Sequence, residues 1–191
     1  MFERRAGGES GVAAVTYLEG DAVWQAAAEG LWSLDLAQAA CDAIRDKPEG
    51  DMREQGSKPT IFLLEYRDGT RASVLMLNRY EGSYIQNFAY AARIKGQTQA
   101  TEFYLHSPQP YAHFSYLSLN IEEMFVTGRP SYPVERTLLT TGVLEAALDS
   151  RHQGCVRLET PHLNVAYSPV EQAPWRARSE RPAEASLVPL Y

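Results

Sequence analysis

Residues 132–163, YPVERTLLTTGVLEAALDSRHQGCVRLETPHL, contain a strong helix pattern and the turn that ends it. Pro133 suits the first helical turn, where a backbone N–H has no intrahelical partner. Apolar residues follow over much of the helix surface: Leu138, Leu139, Val143, Leu144, Ala147 and Leu148. Gly154 is the stop signal. The stretch predicts an apolar helix packed on a sheet, then a short strand and a Thr-Pro-His-Leu turn.

The segments upstream of this helix supply strands. Residues 60–66 and 70–77 are apolar runs joined through Asp68-Gly69, a dipeptide typical of tight hairpins. Both runs are apolar on both faces, which predicts central strands. Residues 11–18, 84–95 and 101–105 add further strand patterns. The fold class expected is α+β, with an open, mostly antiparallel sheet and helices packed on one face.

Three further helices are predicted, over residues 22–29, 34–45 and 111–127, and Ser33 is expected to open the second. The last of them carries an apolar stripe, the side that an amphipathic helix normally turns toward the core: Tyr111, Phe114, Leu117, Ile121, Met124 and Phe125. We expect one α+β domain over residues 1–168, with a mobile loop at 46–59. Residues 169–191 are polar and punctuated by prolines, which predicts a tail or arm.

Composition excludes several classes of protein. With 45% hydrophobic residues, the 191-residue chain has enough apolar side chains to fill a core. The net charge of −6 and the absence of a basic cluster argue against nucleic acid as a partner. No window has the apolar length of a membrane span or a signal core. We therefore expect a soluble, cytoplasmic protein that binds neither nucleic acid nor membrane.

Motifs for nucleotide binding and for nucleophilic catalysis are missing from the sequence. It has no Gly-x-Gly-x-x-Gly, no Walker-type phosphate loop and no Gly-x-Ser-x-Gly. Cys41 and Cys155, like His106 and His113, match no metal-ligand spacing. We expect no metal and no cofactor bound by this chain alone. An independent hydrolase or isomerase has no motif in its favour.

The candidate binding residues lie mainly on one face of the 111–127 helix. His113, Tyr116, Asn120 and Glu123 recur there at helical spacing. They offer an imidazole, a phenol, an amide and a carboxylate, groups that hydrogen-bond a polyhydroxy substrate. The alternative is a solvated helix face. Further candidates, each with a structural alternative, are Asn78, Arg136 and His162.

Five segments resemble one enzyme family. These are YPVERTLLTTG at 132–142, SRHQG at 150–154, ETPHL at 159–163, LEGDAVW at 18–24 and LEYRDG at 64–69. VLMLN at 74–78 is similar as well. They look like the C-terminal part of Gfo/Idh/MocA-type oxidoreductases. That family combines a Rossmann domain for NAD(P) with an α+β domain that holds substrate contacts and often the oligomer interface.

The chain departs from the family plan in its chemistry. No segment matches the Rossmann fingerprint, the Glu-Lys-Pro segment whose lysine is usually catalytic, or the Asp-x-Gly-x-His-x-x-Asp motif. The resemblance therefore implies the substrate-side half of an NAD(P)-dependent oxidoreductase acting on a sugar-like or polyol substrate. We expect no catalysis by this half alone, and NAD or NADP is implied for a full-length parent. The alternative is a non-catalytic oligomerisation or ligand-binding module, with a homo-oligomer formed through the sheet face at residues 84–95.

Overall fold

A computed structural model describes residues 2–45, 50–55, 58–77, 88–103, 112–170 and 173–176. Strands and helices alternate irregularly along this part of the chain. The strands are β1 (Val12–Glu19), β2 (Thr60–Tyr66), β3 (Arg71–Met76), β4 (Phe88–Ile94), β5 (Gln97–Phe103) and β6 (Leu158–Glu159). The helices are α1 (Asp21–Ala28), α2 (Leu34–Asp42), α3 (Met52–Gln55), α4 (Ala112–Thr127) and α5 (Val134–His152).

The strands form two antiparallel sheets in the described residues. One has four strands in the order β3-β2-β1-β6, and the other is the β4–β5 hairpin. In the larger sheet Val15 pairs with Leu64 and Tyr17 with Phe62. The predicted α+β class with antiparallel pairing is confirmed. The prediction that both 60–66 and 70–77 are central is wrong for the second, because β3 lies at the edge of the described sheet with β2 as its neighbour.

Helix α5 packs on one face of the larger sheet. Val15 and Tyr17 of β1 share a core with Leu139, Ala146 and Ala147 of the helix. Small residues let the chain approach closely, because a Cβ on Gly142 would collide with the buried side chain of Leu163. The stretch 132–163 therefore forms the apolar helix that its pattern predicts.

The opposite face of the same sheet is covered by α1 and α2. Ile61 lies in a second core with Val23, Ala26 and Trp32, and Leu18 packs against it. The Trp32 indole N–H donates to the Val23 carbonyl at 2.8 Å. The expectation of helices on one face is therefore wrong. Successive residues of a strand point to opposite faces, so a run such as IFLL at 61–64 needs cover on both sides.

The remaining elements extend this layered arrangement. Helix α2 starts at its predicted N-cap, where Ser33 Oγ accepts from the Leu36 N–H at 3.2 Å, and it contacts both strands of the β4–β5 hairpin. Within the predicted loop 46–59, the described residues contain the short helix α3, whose Met52 is buried. None of the described helices combines the length and the hydropathy that crossing a bilayer requires.

The outer edge of β1 is completed by a short strand and by side chains on either side of it. β6 pairs with β1 only at Ala14 and Val15. Beyond it, the buried hydroxyl of Ser150 accepts from the Tyr17 N–H at 2.9 Å and donates to the Val156 carbonyl at 2.6 Å. On the other side, Thr160 donates from its hydroxyl to the Val12 carbonyl at 2.8 Å and from its backbone N–H to the Ala13 carbonyl at 2.9 Å. The last turns of α5 and the residues after it therefore close the sheet at its otherwise unpaired edge.

Gly11 lies where the chain enters β1, close to the backbone of the segment that follows the β6 turn. Substituting it tests whether this close approach stabilises the fold. Its φ of +83° favours glycine, and a Cβ there would lie 2.8 Å from the Val165 backbone nitrogen. Gly11→Ala should lower the free energy of unfolding by about 3 kcal/mol, since it combines left-handed strain with a backbone collision. The control Gly30→Ala, at φ +75° with no atom within 4 Å of the added Cβ, should cost about 1 kcal/mol. Equal losses in urea unfolding would contradict the collision at Gly11.

Candidate functional site

Three predicted site residues lie together on α4. Tyr116, Asn120 and Glu123 are half-buried on one side of the helix. His113 lies in the same helix, but its side chain is outside the described residues, and Asn78 is outside them altogether. The grouping of Tyr116, Asn120 and Glu123 along one helical face is therefore as the sequence predicted.

The polar face of α4 binds a segment of the chain that the sequence analysis assigned to the tail. Asn120 Nδ2 donates to the Trp175 carbonyl at 2.7 Å and to the Tyr116 carbonyl at 2.7 Å. Asn120 Oδ1 accepts from the Trp175 N–H at 3.2 Å. The Trp175 indole N–H donates to Glu123 Oε2 at 3.4 Å. The Asn120 amide is thus fully engaged within the chain, while Glu123 keeps acceptor capacity for another group.

The apolar face of α4 is on the outside. Phe114, Leu117, Ile121 and Phe125 are all exposed. Sequence patterning had assigned this stripe to the core side, and that assignment is wrong. Amphipathicity identifies the two faces of a helix, but only tertiary structure decides which face contacts the rest of the chain. Here the Trp175 segment occupies the polar side.

Arg136 lies in a different set of contacts. In the first turn of α5, its guanidinium is 3.4 Å from Glu3 Oε2 and lies over the Tyr132 ring, 5.0 Å from the centroid. The Tyr167 hydroxyl donates to the same Glu3 carboxylate at 2.9 Å. Burial, together with this hydrogen bond, raises the pKa of Tyr167. Arg136 therefore links α5 to the N-terminal turn.

His162 lies beside an open cleft of about 370 Å³ between α5, β6 and the turn that follows β6. Ala146 and Thr160 are its buried lining residues. The exposed rim carries three carboxylates and the imidazole, from Glu145, Asp149, Glu159 and His162. The sequence analysis missed the three acids. Glu145 and Asp149 are four apart on α5 and so share one side of the helix, a signal that was present, whereas the approach of Glu159 depends on β1–β6 pairing.

The chemistry of the cleft is that of a hydrogen-bond acceptor. Ionised carboxylates accept only, and a neutral imidazole offers one donor and one acceptor. Such a rim can accept hydrogen bonds from hydroxyl or cationic groups, and its negative charge disfavours phosphate. The pyrophosphate of a dinucleotide therefore does not fit it. Nor do the described residues contain a group of three or more His, Cys, Asp or Glu side chains able to hold a metal ion.

Arg157 supplies positive charge next to the cleft. Its guanidinium donates to Glu65 at 2.7 and 2.9 Å and is 3.8 Å from Glu159. Glu65 is a polar residue within the apolar strand β2, and Arg157 is its partner. The hydrogen bonds from Arg157 hold the pKa of the Glu65 carboxyl below its ordinary value, although burial opposes this.

Comparison of the chain with protein-family models, with curated proteins and with solved structures finds no match in any of the three.

The Glu65–Arg157 pair predicts part of the dependence of stability on pH. Because the folded-state pKa of Glu65 is depressed, its contribution is present above the unfolded-state pKa of about 4.3. It is lost as the pH falls through the lower, folded-state pKa. Glu65→Gln should therefore reduce the difference in unfolding free energy between neutral and acidic pH. Arg157→Gln should have the same effect, and the double variant should equal either single one. Additive losses would show that the pair does not act as a unit.

The Asn120–Trp175 contact predicts local rather than global stabilisation. Asn120→Ala should release residues 173–176, which would appear as faster amide hydrogen exchange in that segment. The loss of unfolding free energy should be about 1 kcal/mol. Ser118→Ala is the matched control, because the Ser118 hydroxyl donates only within α4, to the Phe114 carbonyl at 3.0 Å. Unchanged exchange in Asn120→Ala would contradict the contact.

Proposed function

We propose that this chain is the substrate-side half of an NAD(P)-dependent oxidoreductase that acts on a sugar-like or polyol substrate. It binds the substrate in the cleft beside His162, and the cofactor belongs to a separate nucleotide-binding domain. The observation that carries this proposal is the cleft of about 370 Å³ with three carboxylates and an imidazole on its rim.

The lining of the cleft suits a small polyhydroxy compound. Its volume lies at the lower end of the range for small-molecule sites, roughly 300–1,000 Å³. Rim carboxylates of Glu145, Asp149 and Glu159 can accept hydrogen bonds from several hydroxyls at once, while the buried Ala146 offers an apolar surface for C–H groups. A ligand with alternating hydroxyls and C–H groups can contact both the carboxylates and the apolar surface.

The charge of this site supports a division of labour between two domains. An acidic rim does not hold a dinucleotide, so the redox chemistry is supplied by the cofactor on the other domain. The residues of this half orient the substrate hydroxyls and limit the access of water to the substrate. The segments resembling the Gfo/Idh/MocA substrate domain support the same division, and the antiparallel α+β architecture is compatible with it.

A second candidate is a non-catalytic module that assembles copies through its sheet face. The β4–β5 hairpin favours it, since Phe88 and Phe103 pair across the strands and both are exposed, as is Ile94 on the same face. Helix α2 contacts both strands of this hairpin, and contact with a second sheet would bury the exposed phenylalanines as well.

Ligand titration tests the leading proposal. Monosaccharides and polyols added to the ¹⁵N-labelled chain should shift the amide resonances of residues around 145–149 and 158–162. Asp149→Asn should weaken binding roughly tenfold, the cost of about one charge-assisted hydrogen bond. Glu29→Gln, an exposed acid that accepts from Gln25 at the end of α1, is the control and should leave binding unchanged.

Two results would contradict the proposed function. One is tight, stoichiometric binding of NAD or NADP by this chain, because the acidic cleft is expected to exclude the pyrophosphate. The other is a lack of resonance shifts around the cleft with every polyol, combined with an oligomer that Phe88→Ser disrupts. That combination would favour the assembly module.

A further inference from the structure

The apolar side of α4 forms a continuous exposed stripe, which we call the α4 stripe: Phe114, Leu117, Ile121 and Phe125. These residues are 59%, 54%, 43% and 77% exposed, respectively. Together with the half-buried Met124, they follow the alternating spacing of three and four residues seen in helices that pair with another helix. We propose that two copies of this chain pair through the α4 stripe, with the helices antiparallel.

The charge distribution is compatible with an identical partner. With Phe114, Leu117, Ile121 and Met124 as the seam, the described flanking positions are Asn120 on one side and Ser118 and Phe125 on the other. None of them carries a charge. Charges at these positions normally select the partner of a helix, so two copies meet without like-charge repulsion.

Other surfaces and partners fit less well. A membrane-bound amphipathic helix carries Lys or Arg on its polar face, whereas the charged residues of α4 are Glu122 and Glu123. Helix α5 also exposes apolar residues, but Glu145 lies between Leu138 and Leu148 on that side. The α4 stripe contains no charged residue along its length.

The exposed area is enough for a weak dimer. The four side chains together expose on the order of 400 Å², or about 800 Å² for two copies. Ser118 and the helix backbone between the stripe residues bring the total near the roughly 1,000 Å² that a specific interface requires. An interface of this size is at the small end of the specific range, so we expect a weak dimer in equilibrium with the monomer.

Antiparallel pairing sets the register. Centring the pair on residue 119 places Leu117 opposite Ile121 of the other copy, and Phe114 opposite its Met124. The two Ser118 residues then lie about 3 Å apart along the helix axes, because each residue rises about 1.5 Å. The opposed helix dipoles also favour this orientation.

Sedimentation equilibrium of the full chain tests the interface. The wild type should be monomer and dimer in a concentration-dependent ratio, and the double variant Leu117→Ser/Ile121→Ser should dimerise at least about tenfold more weakly. Val126→Ser is the control: Val126 is 78% exposed on α4 but lies off the stripe, so dimerisation should be unchanged. All three proteins should give the same circular dichroism and melting temperature within about 2 °C.

Cross-linking tests the register independently of affinity. Ser118→Cys in a Cys155→Ser background should form a covalent dimer with a short bis-maleimide, and Cys155→Ser alone should not, since Cys41 is buried. A wild type that is monomeric at all concentrations would overturn the inference. So would a dimer that persists in the stripe variant and dissociates in Phe88→Ser. These outcomes do not depend on whether the cleft binds a polyol.

Discussion

The hydrogen bonding of the outer edge of β1 is the constraint on which the rest of the described structure depends. Helices cover both faces of β1 and β2 pairs along one edge, so any N–H or carbonyl left unpaired on the other edge would be buried at a cost of about 1–3 kcal/mol. Ser150 and Thr160 satisfy that edge on either side of the short β6. By doing so they determine where α5 ends and where the turn containing His162 lies.

The same helix therefore serves the core and the candidate site. Ala146 belongs to the core cluster and also lines the cleft, while Glu145 and Asp149, on an adjacent side of α5, reach the rim. The position of the acids is thus set by the packing of α5 on β1. The backbone around the cleft is therefore fixed by the core, which would lower the entropic cost of the proposed ligand binding.

Local patterns in the sequence predicted the elements better than their arrangement. The Asp68-Gly69 hairpin, the Ser33 cap and the helix after Pro133 follow from short-range chemistry, and all three were predicted. Cover on both sheet faces was missed, although the apolar run in β2 required it. The orientation of α4 was not predictable, because it depends on Trp175, a residue distant in sequence. The acidic residues of the cleft were partly predictable from the sequence. Glu145 and Asp149 show helical spacing, but Glu159 joins them only through strand pairing.

The link between Thr160 and Val12 spans 148 positions in sequence. Bringing such distant residues together costs about 4 kcal/mol of chain entropy before any contact compensates for it. Folding of the sheet is therefore expected to begin with the local β2–β3 hairpin. The edge of β1 would close late, after most of the chain has collapsed, and this closure would set the folding rate. During synthesis, β1 would leave the ribosome long before the segment that completes it, so the strand would remain open to other contacts throughout that interval.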